Sequence, residues 1–319
     1  MIEVIISHSA DLDGISSAAL LVRKAKETGS PYLLYLRDYK DKAEVFPEAI
    51  TKIQGANIKI ADISTNLKDI EEVVKRISVT KGKVEWTDHH ETTEDILKKL
   101  ERAGVDVYLD RESGSASVLI LKRYNLNDDL SKIIADAGYQ SDTLNIKDEY
   151  VRDLVDLIDY YNYLEKSPPR TRLSALAVDM AYYGPEGCLT EERRELIKVY
   201  RYKKEQELQN VVKSVKLFNV KGYAFAIAYA KSLVSGTQAA NRVIENVKAD
   251  VYIIVKEDGG LSFRRDKESK INLVPLANIF GGGGHPYASG ASLNGNVSEK
   301  DFEKISEIIY EKIKNNWTP

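Results

Sequence analysis

The stretch IEVIISHSADLDG, residues 2–14, sets the pattern for the first half of the chain. Its isoleucine- and valine-rich start predicts a β-strand over residues 2–8, and the spacing that follows predicts a helix from Gly14 to Thr28. Three side chains that could bind a metal lie at the turn between strand and helix: His8, Asp11 and Asp13. The alternative is that Asp11 or Asp13 only caps the helix, because aspartate is a preferred N-cap residue.

The same order of strand and helix recurs along the first half of the chain. Apolar runs predict further strands at 57–64, 83–88 and 105–110. Helical spacing follows each run, and the predicted helices begin near Asn66, extend from about Thr93 to Ala103, and extend from Ser115 to Tyr124. Repeated βαβ units predict a parallel sheet, and ligands of such sheets bind at the carboxyl ends of the strands.

The second half of the chain predicts helices followed by a smaller α/β domain. Residues 126–163 have mostly helical spacing, and the charged run at 190–216 suits a helix between two lobes or simply a solvated helix face. A strand at 223–230, a helix from about Gly236 and a hairpin at 249–265 come next. We therefore predict three parts, with bounds at 1–185 for the first domain, 186–215 for a helical linker and 216–319 for the second domain.

Composition limits the class of protein. The 319 residues are 43% hydrophobic, and 46 basic against 49 acidic residues give a net charge of −3. A nearly neutral chain has no overall cationic field for long nucleic acids, so any basic groove is local. Cys188 is the only cysteine, which excludes an intramolecular disulfide and a cysteine-ligated metal cluster. With no leader-like segment and no apolar run of about 18 residues, we expect a cytoplasmic protein that does not bind membranes.

Carboxylates and imidazoles follow the predicted strands. Asp62 ends one strand, and Asp88, His89 and His90 end the next. Each aspartate alone would be an ordinary helix cap, but together they gather negative charge at one edge of a sheet, where a cation offsets the repulsion. Oxygen and imidazole ligands without thiolates suit Mn²⁺, Mg²⁺, Fe²⁺ or Zn²⁺. The sequence therefore predicts a divalent-metal site.

A glycine-rich motif, GGGGHPYASG at 281–290, predicts an anion-binding loop. Glycine loses more backbone freedom on folding than other residues, so four in a row suggest close approach of backbone N–H groups to an anion. A merely flexible loop is the alternative. Upstream, Arg264 or Arg265 offers a guanidinium that can engage a phosphate in bidentate fashion, or else a solvated charge.

Five motifs in this order, SADLDG, ADIS, TDHH, QSDT and GGGGHPYASG, resemble those of the DHH/DHHA1 phosphoesterase family. That family includes RecJ-like exonucleases, nano-RNase/pAp phosphatases and cyclic-dinucleotide phosphodiesterases. The resemblance covers nearly the whole chain. It implies a two-domain α/β fold, in which a catalytic DHH domain with a mainly parallel sheet flanked by helices precedes a helical linker and a smaller, substrate-binding α/β DHHA1 domain.

The resemblance also implies a set of metal ligands. Asp62 would bridge two Mn²⁺ ions, with Mg²⁺ as the alternative metal. The full implied set is Asp11, Asp13, Asp62, His89 and Asp142. Asp136 is the rival of Asp142 for the fourth motif, but the Asp-Thr pair at 142–143 matches the family better.

Three further residues of the DHH domain have implied roles. Asp88 and His90 resemble catalytic residues that orient the ligands or the attacking water. His8 is assigned as another metal ligand, although it precedes Asp11 by three positions where family members often have four. An orienting role or a simple strand-end position is the alternative for His8.

In the DHHA1 domain, the resemblance implies phosphate binding by Arg264, Gly282, Gly283, Gly284 and His285. His285 would also be catalytic, as a donor toward the scissile group. Tyr287 beside it is a candidate for stacking on a base. Tyr160, Tyr161 and Tyr163 could in principle also stack on bases, but we expect them to pack between helices.

The function expected from the resemblance is a Mn²⁺-dependent phosphodiesterase or exonuclease that hydrolyses short oligonucleotides with a water activated by two metals. Its partners would be short single-stranded oligonucleotides or nucleotide phosphates, and the sequence leaves a homodimer open. One alternative is a small-molecule phosphohydrolase acting on pAp or cyclic dinucleotides. Another is a non-catalytic nucleic-acid-binding replication subunit.

Overall fold

The computed structural model describes residues 1–65, 69–293 and 295–318. The chain forms two compact units, Met1–Lys198 and Val199–Pro319. The fold is the predicted two-domain α/β class. Within the described residues, no helix combines the length and the apolar character needed to cross a membrane.

The first unit contains one sheet of parallel strands. Its strands are β1 (Glu3–His8), β2 (Tyr32–Arg37), β3 (Asn57–Ala61), β4 (Lys83–Asp88) and β5 (Val105–Leu109). They lie in the order β2-β1-β3-β4-β5, and every neighbouring pair is parallel. The carboxyl ends of the strands therefore meet at one edge of the sheet.

The sequence prediction missed the edge strand β2. Its sequence, YLLYLR, pairs with β1 in the register Glu3 to Tyr32 and His8 to Arg37. Because β2 pairs with a single strand, it is less buried than β1, whose six residues are all buried. A short 3₁₀ helix, Tyr39–Val45, follows β2, and another extends over Glu48–Lys52.

The helices of the first unit are α1 (Leu12–Glu27), α2 (Ile70–Ser78), α3 (Glu94–Arg102), α4 (Ala116–Arg123), α5 (Asp129–Asp142), α6 (Glu149–Leu164) and α7 (Thr171–Gly187). Helices occupy the predicted positions after β1, β4 and β5, two helices lie in the segment 126–163 that was predicted to be mostly helical, and α7 was not predicted. Thr93 and Ser115, the predicted first residues of two helices, are the N-caps of α3 and α4. The predicted start near Asn66 lies outside the described residues.

Two apolar layers cover the sheet because successive side chains of a strand point to opposite faces. Ile5 packs into the layer that α1, α4, α5, α6 and α7 form. Ile6 and Trp86 pack into the opposite layer, with α2 and α3. The indole N–H of Trp86 donates to the carbonyl oxygen of Ile63 at 2.8 Å, so this buried polar group is satisfied.

The next helix, α8 (Glu191–Lys213), covers most of the predicted linker and includes the boundary between the two units. The division at 185 and 215 remains a prediction.

The second unit contains a six-stranded mixed sheet. Its strands are β6 (Lys216–Val220), β7 (Tyr223–Ala230), β8 (Val251–Lys256), β9 (Gly260–Arg265), β10 (Gly283–His285) and β11 (Ala288–Ser292). They lie in the order β10-β11-β9-β8-β7-β6, and only the pair β7 and β8 is parallel. Three helices accompany the sheet: α9 (Gly236–Asn246), α10 (Val274–Asn278) and α11 (Phe302–Asn316).

A buried ion pair lies inside the parallel sheet of the first unit. The Lys59 Nζ on β3 lies 2.5 Å from the Glu3 Oε2 on β1, and both side chains are over 90% buried. The amide of Asn57 donates to the other Glu3 oxygen at 3.1 Å. Removing one partner of such a pair leaves an uncompensated charge out of water, which is strongly destabilising.

We predict that Lys59→Met lowers the free energy of unfolding by about 3 kcal/mol, because it leaves the Glu3 carboxylate buried without its cation. Urea denaturation followed by circular dichroism measures this. The control is Lys198→Met, which breaks an equally short pair with Glu195 that is 61–70% exposed and should leave stability unchanged within error. Equal stability of both variants would contradict the role given to the buried pair.

Candidate functional site

The turn between β1 and α1 presents His8 and Asp11 side by side. Asp11 is the N-cap of α1, where its Oδ1 accepts from the Gly14 N–H at 3.0 Å. Its other oxygen, Oδ2, lies 3.1 Å from the His8 Nδ1. The capping role expected as an alternative is therefore present, and it leaves one carboxylate oxygen available. Gly14 permits the turn, because a Cβ there would lie 2.2 Å from the His8 carbonyl oxygen.

Asp13 is buried at the N-terminus of α4. Its two oxygens accept from the N–H groups of Ala116 at 2.6 Å and Ser117 at 3.0 Å. The positive end of the α4 dipole favours its charged form. Gly138 of α5 packs against it so closely that a Cβ would lie 2.7 Å from the Asp13 Oδ1.

Asp62 follows β3 in a strained conformation. Strand β3 ends at Ala61, three residues before the predicted end, and Asp62 has a φ of 54°. Its N–H still donates to the Thr87 carbonyl oxygen of β4 at 3.1 Å. A non-glycine residue with positive φ costs free energy and is frequently found at functional sites. This conformation holds a buried carboxylate at the carboxyl edge of the sheet.

The end of β4 presents Asp88 and His90, with His89 between them. The Asp88 Oδ1 lies 2.8 Å from the His90 Nδ1. The His89 Nε2 lies 3.6 Å from the Asp62 Oδ1, 3.5 Å from the Asp142 Oδ2 and 4.0 Å from the Asp13 Oδ2. One imidazole nitrogen thus faces three carboxylates from three different elements.

The structure separates the two rivals for the fourth motif. Asp142 is the last residue of α5 and lies beside His89. Asp136, on the same helix, is exposed and accepts from the Gln140 amide at 2.7 Å. Among the described residues, only Asp142 of the two belongs to a group that could hold a metal ion.

Three overlapping groups at this edge could hold a metal ion. They are His8, Asp11 and Asp62; Asp62, Asp88, His89 and His90; and Asp13, His89 and Asp142. Within each group the candidate ligand atoms lie within 4.8 Å of one another. Asp62 and His89 each belong to two of the groups.

Several buried polar atoms at this edge make no well-aligned hydrogen bond to any described residue: both ring nitrogens of His8, the Oδ2 atoms of Asp62 and Asp88, and the His89 Nε2. Unsatisfied buried polar atoms are costly, and a bound ion would satisfy them. Carboxylate oxygens with imidazole nitrogens are also the donors that divalent ions such as Mn²⁺ and Mg²⁺ accept. The residues therefore fit a divalent-metal site.

The pKa shifts at this edge reflect the close packing of buried carboxyl groups. Burial, and then the charges of Asp13 and the neighbouring aspartates, raise the pKa of Asp62 well above its usual range. Burial raises the pKa of Asp13 to about 6, although hydrogen bonds from Ser117 oppose the rise. The hydrogen bond with Asp88 raises the pKa of His90. Without a cation, these carboxyl groups compete to be neutral.

The residues predicted to bind phosphate lie in the second unit. Arg264 donates to the Thr237 Oγ1 at 2.8 Å, just after the Ser235 cap of α9. Burial lowers the pKa of Arg264, and no carboxylate in the described part of the chain opposes that shift. Arg265, the alternative, donates to the Ile271 carbonyl oxygen at 2.9 Å. Across the sheet, Arg264 pairs with Ala288 and Ala288 with His285, which is exposed.

The glycine motif was expected to be a loop, but Gly283 and Gly284 begin strand β10. A Cβ at Gly282 would lie 2.1 Å from the Gly290 carbonyl oxygen, and one at Gly284 would lie 2.8 Å from that of Ala288. These two glycines therefore have a packing reason, the close approach of β11. Gly283 has open space beside it, so its backbone remains a candidate for contact with a ligand.

The structure also sorts the tyrosines. Tyr160 and Tyr161 are buried, which is packing rather than base stacking, and Tyr163 stacks on Tyr160. Tyr287 is 60% exposed, and its ring lies parallel to that of His285 with centroids 5.6 Å apart. Of the four tyrosines considered, Tyr287 is the most exposed.

Two residues that contact this edge of the sheet were not predicted from the sequence. The Asn162 amide on α6 donates to the carbonyl oxygens of Ser9 at 3.0 Å and Ala10 at 3.3 Å, which fixes the turn before Asp11. Tyr39 packs its ring against His8. Neither residue is near the motifs in sequence, so only the tertiary structure reveals them.

Two family models match the sequence. The sequence profile of the DHH family, N-terminal domain, matches residues 2–141, and that of the DHHA1 domain matches residues 224–315. The chain belongs to the DHH/DHHA1 phosphoesterase family. A comparison with curated proteins gives no match.

Solved structures share the fold of this DHH protein. The pGpG-specific phosphodiesterase PggH of Vibrio cholerae is 13% identical, with 99% of this chain and 100% of that chain covered and a TM-score of 0.57. The exonuclease RecJ bound to manganese is 14% identical, with 98% and 89% covered and a TM-score of 0.58. An exopolyphosphatase-related protein of Bacteroides fragilis is 18% identical, with 98% and 92% covered and a TM-score of 0.50. At these identities the likeness shows the fold alone.

We predict that Mn²⁺ at one hundred times its dissociation constant stabilises the protein by about 2.7 kcal/mol, or roughly 5–10 °C in Tm. The shift should be larger at pH 7.5 than at pH 5, because protons compete for carboxyl groups whose pKa is raised. Without metal, the pH dependence of stability has the opposite sign. The folded protein holds protons that the unfolded chain releases, so stability falls as the pH rises from about 4 through the raised pKa values.

The variant Asp62→Asn tests the assignment of this carboxylate. It should raise the Tm of the metal-free protein at pH 7.5, because it removes a buried charge from a crowd of like charges, and it should abolish the Mn²⁺ shift. Asparagine also tolerates the positive φ at this position. Asp136→Asn, on the exposed rival, is the control and should behave as wild type. A normal Mn²⁺ shift in Asp62→Asn would refute the shared-ligand assignment.

Proposed function

We propose that this protein is a Mn²⁺-dependent phosphodiesterase that hydrolyses short oligonucleotides, with Mg²⁺ as the alternative ion. The observation that carries the proposal is the position of Asp62 in two overlapping groups of metal-binding side chains. Ions bound there would act as Lewis acids and lower the pKa of a bound water. The proposed ligands are His8, Asp11, Asp13, Asp62, His89 and Asp142.

His90 is proposed to hold a proton near the substrate, and Asp88 is proposed to orient the His90 ring. Because the Asp88 Oδ1 engages the His90 Nδ1, the ring has a fixed orientation and its Nε2 is the nitrogen left for water or substrate. The same contact raises the pKa of His90, so the imidazole keeps a proton more readily near neutral pH. His90 is therefore suited to donate to a phosphate or leaving-group oxygen, and Asp88 to hold it there.

The second unit contains groups suited to binding a nucleotide. Arg264 is a half-buried guanidinium without a carboxylate partner in the described part of the chain, which suits a phosphate. His285 and the Gly282–Gly284 backbone are proposed to bind the same group. Tyr287 offers an exposed ring on which a base can stack. A base-stacking residue favours a nucleotide substrate over inorganic polyphosphate.

Charge favours a short substrate. Two of the basic residues on α8 that could have formed a channel for a long strand are engaged instead: Arg193 with Asp179 at 2.6 Å, and Arg194 with Asp153 at 3.4 Å. Arg201, Lys203 and Lys204 have interactions of their own. A chain with a net charge of −3 adds no general attraction.

Two alternatives have different support. A small-molecule activity on pAp or cyclic dinucleotides fits the same groups. The full-length match to the fold of a phosphodiesterase named for pGpG, a linear dinucleotide, supports the short-oligonucleotide proposal instead. A non-catalytic replication subunit has less support, because every metal ligand implied by the motifs falls within the three groups.

We predict that Arg264→Ala and His285→Ala lower kcat/KM roughly 10- to 100-fold, the loss expected for a charge-assisted hydrogen bond. Their Mn²⁺ affinity should match wild type, because all proposed ligands lie in the first unit. Calorimetry with Mn²⁺ separates the two effects. Arg265→Ala is the matched control, because it removes a neighbouring guanidinium that has no proposed role in phosphate binding and donates to the Ile271 carbonyl oxygen. Loss of metal binding in a folded Arg264 variant would refute the division of roles.

We also predict faster hydrolysis of a 2-mer and a 5-mer than of a 24-mer, with a weak dependence on salt. A protein that grips 6–10 phosphates loses roughly 10³–10⁵ in affinity between 50 and 200 mM salt, and a site for two or three phosphates loses much less. Initial rates for the three lengths at both salt concentrations provide the test. Preference for the 24-mer with a steep salt slope would instead identify a processive exonuclease.

A further inference from the structure

Several polar contacts fix the 3₁₀ helix Tyr39–Val45, which follows β2. Asp38 caps it, and the Asp41 Oδ2 accepts from the Asp38 N–H at 2.9 Å. The buried Arg170, at the start of α7, then holds the Asp41 carboxylate in bidentate fashion, at 2.7 and 3.1 Å. The same guanidinium donates to the Leu36 carbonyl oxygen at the end of β2. A buried, two-pronged ion pair fixes geometry, whatever it adds to stability.

The segment held in this way carries Tyr39 to the metal edge. The Tyr39 ring lies 4.8 Å from the His8 ring, centroid to centroid. Its hydroxyl oxygen accepts from the Ser64 N–H at 3.1 Å, two residues beyond Asp62. Tyr39 therefore contacts both the strand end that carries His8 and the loop that follows Asp62.

The hydroxyl of Tyr39 can donate a hydrogen bond as well as accept one. A phenol has one O–H to donate as well as its acceptor capacity, and the contact with Ser64 uses the acceptor side. Within the described residues, no acceptor is found for the Tyr39 proton. The side chain is 40% exposed, so a solute can reach it. An O–H donor at the rim of a metal-binding edge suits an anionic oxygen.

We propose that Tyr39 is a substrate-binding residue that donates its phenolic O–H to a non-bridging phosphate oxygen while its ring holds His8 in place. The inference rests on the proposed function, because it takes a phosphoester as the ligand of this edge. It adds a residue that none of the five motifs contains.

A purely structural role is the competing explanation, and the two make different predictions. If Tyr39 served only as a ring packed against His8, phenylalanine would replace it without loss. If it served as the acceptor for the Ser64 N–H, phenylalanine would loosen the loop after Asp62 and change the Mn²⁺-induced shift in Tm. If it served through His8, its loss would weaken Mn²⁺ binding, and more Mn²⁺ would restore the activity. A donor to substrate predicts a loss of substrate affinity or turnover that added Mn²⁺ does not restore.

The test compares Tyr39→Phe with wild type and with Tyr35→Phe, a control on the adjoining strand β2 whose ring lies against Arg37. Three quantities are measured: kcat/KM on a dinucleotide at saturating Mn²⁺, the Mn²⁺-induced shift in Tm, and the affinity for 5′-AMP by calorimetry with Mn²⁺ present. For Tyr39→Phe we expect kcat/KM and AMP affinity to fall roughly 10-fold, with the Mn²⁺ shift unchanged. Tyr35→Phe should match wild type in all three.

Wild-type values for Tyr39→Phe, or a loss that disappears when Mn²⁺ is raised, would overturn the proposal. The AMP measurement keeps this outcome separate from the proposed function. If wild type binds AMP but does not hydrolyse the dinucleotide, the phosphodiesterase assignment fails. Equal AMP affinities of wild type and Tyr39→Phe would then overturn the role of Tyr39 as well.

Discussion

Repulsion among buried carboxylates at one edge of a parallel sheet is the constraint around which the first unit is built. Asp13, Asp62 and Asp88 are each at most 2% exposed, so water does not screen them. The chain compensates two of the three. The α4 N-terminus donates two N–H groups to Asp13, and His90 contacts Asp88. The nearest imidazole nitrogens lie 3.6 and 3.8 Å from the Asp62 oxygens, and its Oδ2 makes no hydrogen bond to any described residue. The uncompensated charge is thus concentrated where a cation is proposed to bind.

The surrounding packing serves this arrangement. Gly14 and Gly138 are glycines because a Cβ at either position would collide with His8, or with Asp13 and Ser117. Asn162 fixes the turn before Asp11 from α6, and Arg170 fixes the segment with Tyr39 from α7. Helices far apart in sequence therefore meet around one strand edge. This explains why a parallel sheet suits the site: all its strands end on the same side.

Much of the fold followed from the sequence, because strand-to-helix alternation and capping are local signals. The helices α3 and α4 begin one residue after the Thr93 and Ser115 that predicted them. The strand β2 was missed, since it is a half-buried edge strand, and so was β10, where glycines favoured a loop. Gly282 and Gly284 are required by the close approach of strand β11, a contact that local sequence spacing does not encode. Motifs likewise identified His89 and Asp142 as candidates. Tyr39 and Asn162 were not identified, because they contact residues that are distant in sequence. The roles of all these site residues remain proposals.

The central claim is that Asp62 is shared by two ions at this edge, and electron paramagnetic resonance of Mn²⁺ tests it most directly. Titration of the metal-free protein with Mn²⁺ should give two bound ions per chain, with the exchange-coupled signal of ions bridged at a separation of roughly 3.5–4 Å. A single bound ion, or two ions that each give an uncoupled six-line spectrum, would contradict the account.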